Sequence, residues 1–301
     1  MRGWLLLGAV IATTSVLFAD TAPVISQRDA EKLLSPGKRT ACTTTECLIE
    51  TAYATDDKAK GLALDLYKDT GTIAGVGPAE IMDGGYRGKI QLVPQLPLGT
   101  YIKHLTWTDA ALRSIDTFFA DLFANQTTSP SYRWRALSMR YVRSIKKRTP
   151  SAYAFGWTIT YNVKGSLLTT AAGVLETLFH ELFHNNDFDH GDWSAKNLQV
   201  DYDAILAKCG AKVACLTPYA PNKTRVKATG NYYAFQQNNG NGVHEYAAEM
   251  AVRYFTEQRQ MLRDGKLAKP AFKCGPPENA RSWQALVTEF FAGRDLVPAC
   301  D

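Results

Sequence analysis

The sequence has no hydrophobic run as long as the roughly 20 residues that a membrane-spanning helix needs; its N-terminal apolar stretch covers only residues 4–12. It has no internal repeat and no low-complexity tract, so nothing indicates a solenoid or a fibrous protein. It also lacks a Cys-x-x-Cys pair, which argues against a zinc ribbon or a dithiol redox site. No block of Lys and Arg falls within a nucleic-acid-binding signature, so no nucleic-acid partner is expected.

The composition is that of an ordinary folded protein. Of the 301 residues, 46% are hydrophobic and 21% are charged, and the net charge is a mild +5. This length provides a core for one large or two small domains. Much of the positive charge lies in residues 133–148, which we interpret as a solvated strand face. If that face borders a cleft, it would favour acidic substrates.

The first 19 residues have the pattern of a signal peptide. An early Arg2 precedes the apolar stretch, and small residues follow it. We expect cleavage after Ala19, with Ala22 as a second possibility. The mature protein would then be secreted or periplasmic, with no stable membrane span.

The cysteine pattern agrees with export. The six cysteines fall into three neighbouring pairs, and neighbour-to-neighbour pairing is the simplest of 15 connectivities. Disulfide bonds are typical of exported proteins. The expected pairs are Cys42 with Cys47, Cys209 with Cys215, and Cys274 with Cys300.

Hydrophobic periodicity and capping residues predict an α+β protein in which helices dominate and the sheet is small. Helices are expected at residues 26–34, 44–67 (one or two), 108–124 with Thr108 as its cap, 170–186, 201–208, 244–263 and 278–291. Strands are expected at residues 89–93, 135–144 and 153–163, and a glycine-rich loop at 71–85.

The most informative segment is the predicted helix at residues 170–186, which contains the sequence HELFH. The chain has only five histidines, and three of them lie between residues 180 and 190. His180 and His184 are four residues apart, so their imidazoles project from one helix face and can chelate Zn²⁺. Glu181 then lies beside the metal, where it can act as general base toward a zinc-bound water. This is the HExxH pattern of zinc peptidases.

One candidate for the third ligand is His190. It completes HExxHxxDxxH, which has the spacing of the metzincin motif, although Asp187 stands where metzincins have Gly. That Gly allows the chain to leave the helix in a left-handed conformation, which Asp tolerates better than most residues. Against this alternative, no Met-turn is visible, because Met250 and Met261 both lie within a helical pattern.

The other candidate is Glu245, in the predicted helix at residues 244–263. Glu245 and Glu249 are four residues apart and share a helix face. One carboxylate can bind zinc while the other accepts a hydrogen bond from a ligand imidazole. Alternatively, both glutamates are exposed and pair with Arg253. We favour Glu245, because its helix supplies both the ligand and the carboxylate behind it; His190 would then be a rim residue.

HELFH followed by EYAAEMAVRYF resembles the gluzincin metallopeptidases, and most closely the anthrax-lethal-factor-like branch. The resemblance covers about residues 154–255. It implies zinc on His180, His184 and Glu245, Glu181 as general base, and Glu249 behind the ligands. The branch usually has a tyrosine upstream of the glutamate helix that stabilises the oxyanion. Here Tyr233 is the candidate for this role, and the rivals are Tyr232, His244 and Tyr246.

The resemblance implies a zincin-like fold, in which an edge strand at residues 153–163 packs on the HExxH helix and a second helix carries the glutamates. We expect residues 20–105 to form a mainly helical N-terminal region and 106–301 to form the metallopeptidase domain. The expected function is exported zinc endopeptidase, acting on a peptide or protein substrate; the sequence does not indicate the oligomeric state. The alternative is a catalytically inactive zinc-binding or toxin-like interaction protein, whose zinc site is closed by four protein ligands.

Overall fold

A computed structural model describes residues 24–38, 40–84, 87–226, 229–236 and 242–300. The predicted signal peptide lies outside these residues. Within them, no helix combines the length and the apolar character that crossing a membrane requires.

The described residues form an α+β fold, as predicted. The helices are α1 (Gln27–Leu34), α2 (Thr45–Ala52), α3 (Asp57–Thr70), α4 (Ile102–Leu122), α5 (Ala171–Asp189), α6 (Trp193–Asn197), α7 (Gln199–Cys209), α8 (Val213–Leu216), α9 (Gly242–Asp264) and α10 (Pro277–Phe290). The strands are β1 (Ile73–Gly75), β2 (Glu80–Asp83), β3 (Lys89–Pro94), β4 (Ser138–Ser144), β5 (Ala152–Phe155) and β6 (Thr158–Asn162).

The strands form one mixed sheet in the order β2-β3-β4-β6-β5. β4 is central: β6 pairs with it in parallel on one side, and β1 (parallel) and β3 (antiparallel) share its other side. β5 pairs antiparallel with β6 and ends the sheet. The outer side of β5 therefore has no partner strand among the described residues.

The prediction of a single strand at residues 153–163 is wrong. The segment is a hairpin, in which Gly156 (φ 57°) and Trp157 (φ 63°) connect β5 to β6. Two consecutive residues with positive φ are typical of the two-residue turn whose twist matches that of paired strands. The edge strand is therefore only β5, and β6 lies inside the sheet.

Two further expectations also need correction. The glycine-rich segment at residues 71–85 contains β1 and β2 as well as loop. α4 begins at Ile102 rather than at Thr108, which is fully buried within the helix. The Thr108 hydroxyl accepts a hydrogen bond from the Tyr141 hydroxyl at 2.8 Å. This threonine joins α4 to the sheet and does not cap the helix.

The expected division at residue 105 falls inside α4. Strands from both sides of it pair in one sheet, and one buried apolar cluster extends from Ala30 to Val297. The N-terminal residues thus contribute to the same core as α5, the helix that carries the HELFH segment.

Local and tertiary contacts both place α5. The Thr170 side chain caps its first turn by accepting a hydrogen bond from the backbone N–H of Gly173. Gly173 is required here because a Cβ at this position would collide with the carbonyl oxygen of Leu167. Further along, the Phe179 ring stacks on Phe255 of α9 at a centroid distance of 4.3 Å. This buried contact holds the two helices side by side.

The structure contains the three expected disulfide bonds, Cys42–Cys47, Cys209–Cys215 and Cys274–Cys300. The first two close short segments, with sequence separations of 5 and 6, and the third spans 26 residues and encloses α10.

Candidate metal centre

Three potential ligand atoms converge where α5 faces α9. The Nε2 atom of His180 lies 3.1 Å from the Nε2 atom of His184 and 3.1 Å from Oε2 of Glu245. His184 Nε2 and Glu245 Oε2 are 3.7 Å apart. Two imidazole nitrogens and a carboxylate oxygen that face one another in this way could hold a metal ion. The structure thus brings together the two helix histidines and the favoured third residue.

Glu249 lies behind this group, one helical turn beyond Glu245. Its Oε1 atom is 3.5 Å from Nδ1 of His180, the ring nitrogen that faces away from Glu245. A carboxylate at this nitrogen favours the tautomer that leaves Nε2 free for a metal. The alternative pairing with Arg253 does not occur, because Arg253 binds Glu257 instead, at 2.6 Å.

The electrostatics of the group follow from burial combined with these close contacts. Burial opposes ionisation of Glu245, but hydrogen bonds and charge from His180 and His184 lower its pKa below the ordinary value. Burial likewise opposes the charge on His180, yet its contacts with Glu245 and Glu249 raise its pKa. The carboxylates of Glu245 and Glu249 therefore favour positive charge at His180.

Glu181 is adjacent to the first histidine and is almost completely buried. Burial raises the pKa of its carboxyl group, while the neighbouring His180 and His184 oppose that shift. A carboxylate that is made more basic in this way suits the role of proton acceptor.

The structure distinguishes between the candidates for an oxyanion donor. The Tyr233 ring meets His180 edge-on at a centroid distance of 5.8 Å. The hydroxyl of Tyr232 forms hydrogen bonds with Arg225 and Thr217. The imidazole of His244 pairs with Asp192. The side chain of Tyr246 is fully buried against Tyr202 and Phe235. Of these candidates, Tyr233 lies beside the histidine pair.

His190 does not join the group. It caps the C-terminal end of α5, and its Nδ1 atom lies 2.6 Å from Oε1 of Glu289. α5 continues through Asp189, so the chain does not break at Asp187 as the metzincin arrangement requires.

A second group of potential ligands, Asp187, Asp192 and His244, also lies close together. Hydrogen bonds within the protein already engage these side chains. Both carboxylate oxygens of Asp187 accept hydrogen bonds from Ser194, from its backbone N–H and from its hydroxyl, each at 2.6 Å. His244 and Asp192 pair directly at 2.6 Å.

The basic segment at residues 133–148 is partly neutralised. Arg140 pairs with Glu80 at 2.8 Å, and Arg135 pairs with Asp116 at 2.9 Å. These arginines stabilise the fold, which weakens the expectation that the segment attracts acidic substrates.

Sequence reasoning missed a set of contacts between α5 and the β5–β6 hairpin. Asn185 accepts a hydrogen bond from the Trp157 backbone N–H at 3.1 Å, and Asp189 accepts one from the Trp157 indole at 2.7 Å. The guanidinium of Arg133 lies over the same indole, 3.8 Å from its centroid. The only sequence signal was a run of polar residues after His184 in an otherwise apolar helix.

Comparison of the chain with family models, with curated proteins and with solved structures gave no match. Any function assigned to the chain must therefore follow from the geometry of the site.

Proposed function

We propose that the protein is an exported zinc-dependent endopeptidase with zinc bound by His180, His184 and Glu245. The observation that carries the proposal is the convergence of the three ligand atoms at separations of 3.1, 3.1 and 3.7 Å. A tetrahedral zinc ion with bonds of about 2.0–2.1 Å requires its ligand atoms to be about 3.3 Å apart. Three protein ligands would leave the fourth position open, which is the arrangement of a catalytic zinc rather than a structural one.

When bound, zinc supplies a Lewis acid that polarises the scissile carbonyl group and acidifies a water molecule. Glu181 would take the proton of that water and pass it to the leaving amine. The Tyr233 hydroxyl would donate a hydrogen bond to the carbonyl oxygen as negative charge develops there. Glu249 would orient the imidazole of His180. The open side of β5 would hold an extended substrate by adding it to the sheet as a strand.

The alternative, an inactive protein with a closed zinc site, requires a fourth protein ligand. His190 was the candidate, and its contact with Glu289 argues against that role. We therefore retain the open, catalytic site.

The first experiment is to measure metal content by mass spectrometry on the purified mature protein. We expect one zinc per chain in the wild type and in His190→Ala, and its loss in Glu245→Ala. Zinc that persists in Glu245→Ala but is lost in His190→Ala would contradict the ligand set.

The second experiment tests catalysis. The wild type should cleave members of a mixed peptide library, and a chelator should abolish cleavage. Glu181→Gln should lose at least about a hundredfold in kcat with zinc retained, because general-base catalysis contributes at least that much. A zinc-loaded wild type that cleaves nothing would indicate a binding protein instead.

A further inference from the structure

Two exposed aromatic rings lie beside the open edge of the sheet. Phe155, the last residue of β5, is 76% exposed, and Phe188 of α5 is 64% exposed. Their ring centroids are 6.1 Å apart. Among the described residues, these are the only aromatic side chains with such exposure. We call them the aromatic pair.

The aromatic pair is connected to the metal centre by the geometry of α5. Glu181, Asn185 and Phe188 are spaced by four and three residues and therefore share one helix face. Asn185 bonds the hairpin turn through Trp157, so this face is the one directed at β5. A substrate peptide bound along β5 would therefore lie near Glu181 at one end of the strand and near the aromatic pair at the other end.

We infer that the aromatic pair is a specificity site that binds an aromatic side chain of the peptide substrate. This inference rests on the proposed function and identifies the substrate class of the same site. In an edge strand, every second residue directs its backbone N–H and C=O groups away from the sheet. β5 can therefore form hydrogen bonds with the backbone of any extended peptide. Those backbone hydrogen bonds do not depend on the substrate's side chains. The two exposed rings would add a preference for an aromatic substrate residue, because aromatic rings pack against each other in edge-to-face or offset arrangements.

The helix geometry also gives the position of the recognised residue. Phe188 is seven residues beyond Glu181 on α5 (188 − 181), which corresponds to about 10 Å along the helix axis. An extended peptide advances about 3.3 Å per residue. The aromatic side chain should therefore lie about three residues from the scissile bond.

The test is digestion of a randomised peptide library, with the products read by mass spectrometry. The wild type should cleave peptides with Phe, Tyr or Trp about three residues from the cleaved bond roughly tenfold more efficiently than peptides with Ala there. A preference of this size is expected for an apolar contact. The double variant Phe155→Ser, Phe188→Ser should lose that preference while still cleaving. Ile81→Ser is the matched control, because Ile81 is a 69%-exposed apolar residue on β2, at the opposite edge of the sheet.

Binding provides a second measurement that needs no turnover. Labelled octapeptide mixtures with one position fixed as Phe or as Ala are titrated against Glu181→Gln. The Phe mixture should bind more tightly, and the difference should disappear when both rings are replaced.

Cleavage without aromatic preference, or a preference that survives in the double variant, would overturn the inference and leave the proposed function standing. A wild-type dimer that becomes monomeric in the double variant would assign the rings to a second copy of the chain and also overturn it. Absence of any zinc-dependent cleavage would overturn the proposed function itself, and the inference with it.

Discussion

The side-chain oxygen of Asn185 accepts a hydrogen bond from the backbone N–H of Trp157 at 3.1 Å. Asn185 directly follows His184, and Trp157 lies in the turn between β5 and β6. One buried amide thus connects the helix that bears the histidines to the hairpin that forms the edge of the sheet. This contact sets the position of the edge strand relative to the candidate metal centre.

Replacement of Asn185 by Leu should loosen that connection. The Trp157 N–H would lose its acceptor, which typically costs about 1–3 kcal/mol in the free energy of unfolding. KM for peptides should rise more than kcat falls, because the strand proposed to bind substrate would shift while the proposed catalytic groups stay in place. Urea unfolding and steady-state kinetics measure both effects.

Asn197→Leu serves as the control: Asn197 is exposed and its amide donates to the Trp193 carbonyl at 2.8 Å, so its loss leaves the hairpin untouched and should cost no more than about 1 kcal/mol in the free energy of unfolding. If Asn185→Leu is as stable as this control and has an unchanged KM, the hairpin does not depend on the contact.

Glu249 should control metal affinity without binding the metal. Glu249→Leu removes the carboxylate at Nδ1 of His180 and should weaken zinc binding about 10–100-fold, as loss of such supporting groups does. Glu249→Gln keeps an acceptor oxygen and should weaken it less. Competition with a chromogenic chelator measures both affinities. Equal affinities in wild type and Glu249→Leu would exclude this role.

Gly242→Ala should disturb the start of α9. An added Cβ at this position collides with the hydroxyl of Tyr202. Alanine normally improves a helix by about 1 kcal/mol relative to glycine, but overpacking of this kind costs about 1–3 kcal/mol and should prevail. Because Glu245 lies three residues further on, zinc affinity should fall as well.

The matched rescue of Gly242→Ala is Tyr202→Phe, which removes the obstructing hydroxyl. Thermal unfolding and zinc titration should both recover partly in the double variant. If they do not recover, the collision is not the cause of the defect.

His104 should make stability depend on pH. It is 2% exposed, and burial together with the positive charges of Lys103 and Lys164 lowers its pKa from 6.5 to about 4. The neutral ring lies 2.9 Å from the Tyr161 hydroxyl. Between pH 6.5 and 4 the unfolded chain binds a proton that the folded chain does not, so stability falls as the pH is lowered through this window.

The loss in free energy of unfolding follows from how far the pKa of His104 is lowered. One pKa unit corresponds to roughly 1.4 kcal/mol, so the loss should be about 3 kcal/mol in total. Urea unfolding at pH 7, 5.5 and 4 should show that His104→Gln loses less stability than wild type over this window. Parallel pH profiles for the two proteins would contradict the assignment.

Much of the architecture could be predicted from the sequence, because it depends on local rules. Helices begin close to residues 26 and 170 as expected, and the α+β class is confirmed. The errors came where tertiary contacts overrode local preference. Thr108 resembles a helix cap but is buried against Tyr141, and the positive φ of Trp157 divides what looked like one strand.

The sequence by itself determined that His180 and His184 share a helix face, since a spacing of four residues is a property of any helix. The spacing of the six cysteines made neighbour-to-neighbour pairing the simplest of 15 connectivities, and the structure contains that pairing. Only the tertiary structure decided between Glu245 and His190 as the residue beside the two histidines. That choice depends on the packing of α5 against α9, where Phe179 meets Phe255, and contacts between residues so far apart in the chain leave no periodic trace in the sequence.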